Sequence, residues 1–402
     1  MSRMFTAVVL AVVIVPASAS AAPSFGAWAR LHGKEYDASE AERRSLVFAA
    51  NARVVEELNA QGGTAEFSLD GPFADLTAQE FAKSMLMPPR AAPTLDAGRQ
   101  LSLDAAAVSA APTAWDWRDH EAVSAVEDQG SLGTCWAFSA VGNVEGQVAL
   151  KLKTAPTDLA VEQLVECDNS SDPKNKTGDC GEFGGWPYMA FQYFEKAGGV
   201  FRDADMPYCS GIPIGKPGNC LPCMAAGYDK NVCGSYDDDD QIPLYCNRST
   251  TLGQGTAALC GAGASKVGYA SGSKVVDWKW ISFDEGQIAA ALAGTGGGGV
   301  NGTRVGSSTG ARAFSGGPLS VALNAQLLQF YHKGVFDPKL PCDPAKLDHG
   351  VLLVGYGTDA GADYWVVKNS WGSKWGEDGY FRIARGKGTC GINTQVVTAL
   401  LE

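Results

Sequence analysis

Eleven cysteines in a chain with an apolar N-terminal segment constrain the fold more than length or composition does. Arg3 precedes an apolar run over residues 5–15, and small residues follow at Ala17, Ala19 and Ala21. This pattern predicts a signal peptide over residues 1–21, whose apolar run is too short to anchor the chain in a bilayer. In the oxidising compartments to which a signal peptide leads, disulfides are the default use of cysteine. Eleven is an odd number, so at least one thiol is free for another role.

The charge balance excludes two classes of partner. The 402 residues carry a formal net charge of −12, whereas nucleic acids and anionic membranes are bound by basic surfaces. No apolar run after the signal peptide approaches the length of a membrane span, so we expect the mature protein to be free in a lumen or outside the cell. Four Asn-x-Ser/Thr sites could be glycosylated on that route: Asn169, Asn175, Asn247 and Asn301.

The rest of the chain divides by composition into three segments. Residues 22–87 are charged and helical in pattern from Phe25 to about Asn59. This part contains a mixed stripe at steps of three and four residues: Glu40, Arg44, Phe48, Asn51, Val55 and Asn59. Residues 88–111 are rich in Pro and Ala, which indicates an exposed linker and a cleavage region. Residues 112–402 are predicted to form a compact domain with two insertions, at about 209–272 and 294–317.

Helices come before strands in this compact domain. Residues 135–152 predict a helix whose inner positions are Phe138, Val141, Val148 and Leu152. The C-terminal third is strand-like in three stretches separated by turn residues, at 351–357, 364–372 and 379–385. This order predicts an α+β fold with segregated halves.

Cys135 lies at the predicted start of that helix, in the sequence QGSLGTCWAF. Thr134 is the expected N-cap, which would place the thiol among the unpaired N–H groups that stabilise a thiolate. A nucleophilic thiol also needs a base. His349 opens an apolar strand that would hold its ring rigidly, whereas His120 and His332 lie among polar residues and are expected at the surface.

Three stretches together resemble the papain family of cysteine proteases, which includes the cathepsins: QGSLGTCWAFSA, DHGVLLVGYG and VVKNSWGSKWGEDGYFRI. The resemblance covers nearly the whole chain apart from the two insertions. It implies a papain-like two-lobed α+β fold, with a helical left lobe, an antiparallel β-barrel-like right lobe, an active-site cleft between them and a helical prodomain in front. The insertions lengthen the usual interval between the cysteine and the downstream histidine and asparagine.

By motif position, the resemblance implies roles for five residues. Cys135 would be the nucleophile and His349 its ion-pair partner and general acid/base, with Asn369 orienting the imidazole. Gln129 would donate to the oxyanion together with the Cys135 N–H, and Trp371 would shield the Asn–His bond. The implied activity is a cysteine endopeptidase with a thioester intermediate and no cofactor or metal. Two alternatives stay open: a catalytically silent homologue that acts as a binding protein, and a cysteine transpeptidase or ligase.

The stripe in residues 22–87 matches the inhibitory propeptide of the cathepsin L-like branch, with Val55 where Ile is usual. Phe73 and Asp75 match a second propeptide motif, from which Leu69 and Gly71 depart. The resemblance implies an intramolecular inhibitor that runs through the cleft against the substrate direction. We expect acid pH to loosen it by protonating its carboxylates, before cleavage in the linker.

Substrate-binding positions follow from the same resemblance. GDCGEFGGWPYMAF matches the family's glycine-lined groove, and other matching positions complete a mostly apolar pocket for the residue before the scissile one. The positions so implied are Gly184, Gly185, Trp186, Pro187, Ala322, Leu347, Gly350, Trp371 and Gln395. Neither insertion contains a histidine that could bind a C-terminal carboxylate, which favours an endopeptidase.

Leu132 occupies a position where the family usually has a cysteine bridged to the equivalent of Cys180. The resemblance implies two other pairs, Cys342 with Cys390 and Cys167 with either Cys209 or Cys220. Cys180 would then be free to pair with the first insertion. The Cys-Leu-Pro-Cys at 220–223 fits a zinc spacing, but disulfides are the expected use in a secreted chain.

The expected partners are peptide and protein substrates, the chain's own propeptide and cystatin-like inhibitors, and the expected state is a monomer. The expected location is the secretory pathway, ending in a lysosome or vacuole or outside the cell.

Overall fold

The computed structural model describes residues 23–94, 96–212, 220, 225, 227–233, 260, 267–295, 314–340 and 342–402. The predicted signal peptide, the glycosylation sites Asn247 and Asn301, and most of both predicted insertions lie outside these residues. Among the residues described, no helix has the length and apolar character needed to cross a membrane.

The secondary structure follows the predicted order of helices and then strands. The helices are α1 (Phe25–Leu31), α2 (Ala38–Ala60), α3 (Ala78–Met85), α4 (Ala105–Ser109), α5 (Cys135–Leu152), α6 (Glu162–Cys167), α7 (Pro187–Ala197), α8 (Lys230–Cys233) and α9 (Glu285–Ala293). The strands are β1 (Glu66–Phe67), β2 (Gln100–Leu101), β3 (Trp115–Asp116), β4 (Ser171–Asp172), β5 (Thr177–Gly178), β6 (Val275–Ile281), β7 (Leu319–Leu323), β8 (Tyr331–Lys333), β9 (Val335–Phe336), β10 (His349–Asp359), β11 (Ala362–Lys368), β12 (Tyr380–Ala384) and β13 (Val396–Leu401).

One large sheet, in the order β2-β6-β13-β7-β10-β11-β12-β9, forms most of the right lobe, and β3 also pairs with β10. Its pairs are antiparallel except β2 with β6 and β9 with β12. The hairpin of β10 and β11 pairs Leu352 with Lys368. The start of β10 and the end of β11 therefore lie at the same edge of the sheet, which brings His349 close to Asn369.

Helix α5 is the central element of the left lobe and has the predicted bounds. It packs against β10, β13 and α7, with Phe138, Val141 and Val148 buried as predicted. Leu152 was expected on the same inner face but is 41% exposed. The helix ends there, because the next residue, Lys153, is in the left-handed conformation.

The mixed stripe on α2 is a set of contacts to the loop before α3. Arg44 pairs with Glu40 at 2.6 Å, and its Nη1 donates to the Asp75 carbonyl at 2.9 Å. The buried Asn51 amide donates to the carbonyls of Ala74 and Leu76 at 2.8 and 2.9 Å. These contacts explain why acid, base and amide recur on one helix face: Arg44 and Asn51 fix the loop backbone, and Glu40 holds the Arg44 side chain.

The remaining stripe positions close the small core of the N-terminal segment. Phe48 packs against Trp28 with ring centroids 5.4 Å apart, and Val55 borders the same cluster. Asn59 exchanges two hydrogen bonds of 2.9 Å with the backbone of Phe67 in β1. Strand β1 then pairs with β8 of the domain that follows and joins the two parts.

The linker was expected to be exposed, and α4 has no buried residue. The prediction is wrong for β2. Strand β2 adds a parallel edge strand to β6, with Leu101 buried. Arg99 pairs with Glu195 at 3.1 Å and with Asp277 at 2.7 Å, and its guanidinium lies 4.7 Å from the Trp278 ring centroid. A two-residue strand has no sequence periodicity, so only the open edge of β6 reveals it.

The disulfides differ in part from those expected. Cys342 pairs with Cys390, which is the pair that the resemblance implies. Cys180 pairs with Cys233 in α8, which ties the groove segment to the first insertion. The prediction for Cys167 is wrong, because the other bonds of the described residues are Cys167–Cys260 and Cys209–Cys220. Cys220 is therefore not a zinc ligand.

We expect Asn51→Ala to destabilise the N-terminal segment by about 1–3 kcal/mol, since it leaves the Ala74 carbonyl buried without this donor. Leu76 would keep a second donor, Gln329 Nε2, at 2.7 Å. Urea unfolding of the full chain carrying Cys135→Ala measures the change.

Asn59→Ala is the matched control, because it also removes two amide–backbone hydrogen bonds, but at a site exposed to water. It should cost less than about 1 kcal/mol. Equal losses for the two variants would contradict the burial argument.

Candidate active site

Cys135 is the first residue of α5 and is fully buried. Its Sγ accepts a hydrogen bond from the Gly350 N–H at 3.3 Å. Thr134 is at the N-cap position, but its hydroxyl makes no cap hydrogen bond. The expected capping role is therefore wrong, and the hydroxyl instead lies 2.8 Å from the Tyr208 hydroxyl. The first N–H groups of α5 remain directed at the thiol.

The His349 imidazole is held by an amide and an indole. Nε2 lies 2.7 Å from Asn369 Oδ1, and because an amide oxygen only accepts, Nε2 carries the proton. Nδ1 is buried and has no hydrogen-bond partner within the described part of the chain. Trp371 stacks on the imidazole at a centroid distance of 4.6 Å and is 1% exposed. The ring is thus fixed in one tautomer with Nδ1 unpaired.

Gln129 begins the nucleophile loop, residues 129–134, and joins it to the segment after β11 that carries Asn369. Its backbone N–H donates to the Ser370 carbonyl at 2.8 Å, and its Oε1 accepts from Ser370 Oγ at 2.6 Å. Its Nε2 donates to the Leu132 carbonyl at 2.6 Å and to the Met85 carbonyl at 3.1 Å. The structure therefore brings together the residues that the sequence predicted as catalytic: Cys135, His349, Asn369 and Gln129.

The segment after α3 fills the cleft. Met87 N–H donates to the Asp348 carbonyl at 2.8 Å, and Arg90 exchanges backbone hydrogen bonds of 2.9 and 2.8 Å with Leu347. Further back, Phe73 and Phe81 pack edge-on against Trp371 with centroids 5.5 and 5.3 Å away. The N-terminal segment therefore covers both sides of the thiol.

Two glycines line the groove because there is no room for side chains. A Cβ on Gly185 would lie 2.5 Å from Asp179 Oδ1 and 2.6 Å from the Trp136 ring. Gly184 has a φ of +112°, and a Cβ there would lie 3.0 Å from Met87. The Gly185 N–H points to Met87 Sδ at 3.3 Å. The expected presentation of backbone to a bound strand fits this geometry.

The expected pocket is occupied by the Met87 side chain. Met87 shares one buried apolar cluster with Trp186, Ala322 and Leu347. Pro187 begins α7 directly after Trp186. Gln395 is fully buried and its carbonyl accepts from Ala322 N–H at 3.3 Å. Both polar atoms of its side chain are without a partner among the described residues.

Burial opposes ionisation of both reacting groups in this state. It raises the pKa of the Cys135 thiol to about 12, although the N–H groups of Gly350, Trp136 and Cys135 favour the thiolate. Burial also lowers the pKa of the His349 imidazole to about 4, against the opposing effect of Asn369. With the cleft covered, the thiol and the imidazole are therefore both neutral at pH 5–7.

One group of side chains in the described residues has metal-ligating spacing, formed by Glu162, Glu166, Cys209 and Cys220. Its two sulfur atoms form a disulfide with each other, and Glu162 accepts from the N–H groups of Cys209 and Ser210. These contacts account for the buried Glu162 carboxylate as a structural group.

Sequence reasoning missed three contributors to the site. Met85 and Met87 fill the cleft, and Tyr208 contacts the nucleophile loop. Met85 is the last residue of α3 and Met87 lies two residues further on, and that position was the available signal. Tyr208 lies far from the loop in sequence, so nothing local indicated its contact.

A thiol at a helix N-terminus, beside an imidazole oriented by an amide, is the arrangement expected of a cysteine protease, and here the N-terminal segment covers it. The family model described as papain family cysteine protease matches residues 111–244 and 303–400. The model described as cathepsin propeptide inhibitor domain (I29) matches residues 25–81. The chain belongs to the papain family and is a cysteine endopeptidase made as a proenzyme.

Similar proteins span most of the chain. Mouse (Mus musculus) cathepsin F is 32% identical over 96% of this chain, which spans 66% of the mouse protein. Cysteine proteinase 15A of Pisum sativum is 33% identical over 89% of this chain and 80% of its own length. Among solved structures, a recombinant stem bromelain precursor is similar with a TM-score of 0.67 and 26% identity, over 94% of this chain and 98% of that one.

The buried carboxyl group of Glu182, beside the groove, should make stability depend on pH. Burial, and secondarily Glu162, raise its pKa from 4.5 to about 7. Because the pKa is raised on folding, the contribution of this carboxyl group to the free energy of unfolding is full below pH 4.5 and is lost as the pH rises through 7. Glu182→Gln should therefore be more stable than the parent at pH 8, by about 1–3 kcal/mol, and equal to it at pH 4.5.

Urea unfolding of Cys135→Ala proenzymes at the two pH values provides the measurement. Glu121 is an exposed acid of the same domain, and Glu121→Gln is the control that should change neither value. An identical pH dependence in Glu182→Gln and its parent would refute the assignment.

Proposed function

We propose that Cys135, His349, Asn369 and Gln129 are the catalytic residues of an endopeptidase that works in an acidic secretory compartment. The main observation behind this proposal is the orientation of the imidazole. Its Nε2 donates to Asn369 Oδ1 at 2.7 Å, so Nδ1 is available to the thiol. When the N-terminal segment leaves, water enters the cleft and the burial that keeps both groups neutral is relieved. A thiolate–imidazolium pair can then form.

Acylation begins when the Cys135 thiolate attacks the carbonyl carbon of the scissile peptide bond. The carbonyl oxygen becomes an oxyanion, stabilised by Gln129 Nε2 and the Cys135 N–H. The Met85 carbonyl, which accepts from Gln129 Nε2 at 3.1 Å in the proenzyme, supports this role. Collapse of the tetrahedral intermediate breaks the C–N bond, and His349 gives its Nδ1 proton to the leaving amine.

Deacylation uses the same groups in reverse. His349, now neutral, takes a proton from water, and the resulting hydroxide attacks the thioester carbon. The second tetrahedral intermediate expels the Cys135 thiolate and releases the acid product. Asn369 keeps the imidazole aligned through both steps, and stacking on Trp371 excludes water from the Asn369–His349 hydrogen bond.

The proposed substrate preference is an apolar side chain before the scissile residue. The Met87 side chain already occupies the apolar cluster with Trp186, Ala322 and Leu347, with Gly350 beside the thiol. The unpartnered amide of Gln395 gives this pocket one buried polar group. We therefore expect long flexible side chains such as Met, and also Gln, to be accepted better than charged ones.

The two alternatives differ in their products. A catalytically silent homologue is not favoured, since Gln129, Cys135, His349 and Asn369 are all present. A ligase would transfer the acyl group to an added amine, whereas the proposed enzyme releases the free acid. Product analysis with peptide plus amine separates these outcomes.

Activated enzyme offered a peptide library varied before the scissile residue should cleave apolar members, and Cys135→Ala should cleave none. Gln129→Ala should lower kcat about 100- to 1000-fold, the usual loss for one oxyanion donor. Turnover by Cys135→Ala equal to that of the parent would overturn the mechanism.

The sequence analysis predicted that acid pH releases the propeptide by protonating its carboxylates, but two of these carboxylates stay ionised at mildly acid pH. Hydrogen bonds from Arg43 and Arg44 lower the pKa of Glu40 to about 2. Partial burial raises the pKa of Glu80, but hydrogen bonds from Thr77 and Arg43 outweigh it and lower this pKa to about 2. The ion pairs of these two glutamates are fully formed above pH 4.5 and are lost only as the pH falls toward 2. They therefore persist at pH 5.

We propose that cleavage is limited instead by the docking of the linker on the peptidase domain. Arg99 of the linker is held there by ion pairs with Glu195 and Asp277. While β2 pairs with β6 and α4 is formed, this part of the linker is not available as an extended substrate. Residues 91–94 and 96, by contrast, lie outside every helix and strand, and most of them are exposed.

Trace active enzyme added to the Cys135→Ala proenzyme at pH 6 should first cut within residues 91–98, not within 100–109. Arg99→Gln should open the second region to cleavage, whereas Arg43→Gln, whose ion pairs stay within the prodomain, should not. N-terminal sequencing of the early products locates the cuts. A first cut within 100–109 in the parent would contradict the docked linker.

The remaining proposals concern the surroundings of the enzyme. We propose a monomer in the secretory pathway that is inhibited by cystatin-like proteins and reaches a lysosome or vacuole or the outside of the cell. Asn169 is exposed and suits glycosylation. Asn175 suits it less, because its Nδ2 donates to Asp172 at 2.7 Å and its Oδ1 accepts from Thr94 N–H.

A further inference from the structure

Tyr208 contacts both ends of the nucleophile loop, residues 129–134. Its hydroxyl oxygen lies 2.7 Å from the Gln129 carbonyl and 2.8 Å from Thr134 Oγ1. Its ring packs edge-on against Phe138 of α5, with centroids 4.8 Å apart. One side chain therefore connects the proposed oxyanion donor, the residue before the nucleophile and the helix that follows.

The direction of both hydrogen bonds is fixed by chemistry. A carbonyl oxygen only accepts, so the single Tyr208 proton must go to Gln129. The Thr134 hydroxyl must then donate its own proton to the Tyr208 oxygen. The two hydrogen bonds thus run from Thr134 through Tyr208 to Gln129, and they set the orientation of the Thr134 hydroxyl.

This orientation matters at the N-terminus of α5. A threonine at the N-cap position normally accepts from the N–H of the second or third helical residue. Thr134 does not, and the N–H groups of Cys135 and Trp136 interact with the thiol instead. If the Thr134 hydroxyl rotated into the capping position, it would compete with the thiolate for the Trp136 N–H.

The loop also lacks a covalent attachment. Leu132 stands where a cysteine would be needed, and Cys180 pairs with Cys233. The loop is held to neighbouring segments by hydrogen bonds, such as that from Gly133 N–H to the Glu182 carbonyl at 2.7 Å. A single phenol hydroxyl can therefore have a measurable effect on its geometry.

We infer that Tyr208 is a positioning residue that keeps the Thr134 hydroxyl away from the start of α5 and fixes the Gln129 backbone. The N–H groups of α5 are thereby reserved for the thiolate and the oxyanion. The inference rests on the proposed roles of Cys135 and Gln129. It assigns Tyr208 no contact with the reacting atoms.

Tyr208→Phe, which keeps the ring, is the test in activated enzyme. We expect kcat to fall about tenfold with KM within twofold, because one hydrogen bond and its alignment are lost. Affinity for a peptide aldehyde, whose adduct with Cys135 carries an oxyanion, should fall by a similar factor. The pH profile of Cys135 alkylation by iodoacetamide should shift to higher pH. Tyr269→Phe, which loses a hydroxyl donating to the Ala197 carbonyl, is the control and should change none of these.

A second substitution isolates the competition with the cap. Thr134→Val alone should lower kcat less than threefold, and Thr134→Val in the Tyr208→Phe background should restore part of the lost kcat and reverse the alkylation shift. Additive losses would overturn the inference, as would a Tyr208→Phe enzyme that matches the parent in kcat, aldehyde affinity and alkylation profile. The alkylation readout needs no turnover, so it remains decisive for Tyr208 even if Cys135→Ala showed that the proposed mechanism is wrong.

Discussion

The active site depends on a short antiparallel contact between the segment before the nucleophile and the segment after β11. Gln129 N–H donates to the Ser370 carbonyl, and Gly372 N–H donates to the Glu127 carbonyl at 3.0 Å. The first segment continues through the nucleophile loop into α5, and the second carries Asn369. Because the two segments come from different lobes, this contact sets the distance between the thiol on one lobe and the imidazole and its orienting amide on the other.

The N-terminal segment inhibits by more than obstruction. It places a backbone carbonyl on the proposed oxyanion donor and a methionine in the proposed substrate pocket, and it buries the Cys135 thiol and the His349 imidazole. Burial then keeps the thiol protonated and the imidazole neutral. The N-terminal segment both occupies the cleft and keeps the thiol and the imidazole neutral. Its removal therefore reverses both effects. The ion pairs inside the prodomain hold its own fold together, whereas Arg99 connects the linker to the peptidase domain.

Several elements could be predicted from the sequence because their signals are local. The bounds of α5 follow from helical periodicity, and the stripe on α2 follows from steps of three and four residues. His349 was separated from the other histidines by the apolar strand that follows it. The failures are non-local: Leu152 lies past the last packed turn, Thr134 is turned by Tyr208, and β2 exists because β6 offers an open edge.

The sequence by itself determined the family, the order of helices and strands and the identity of the candidate nucleophile, base and orienting amide, since motif spacing and periodicity are written along the chain. The tertiary structure decided the partner of Cys167, the docking of the linker and the occupation of the cleft by Met85 and Met87. It also decided the ionisation of Cys135, which depends on what covers it. Pairing, docking and burial depend on distances between residues remote in sequence, and only the folded chain sets those distances.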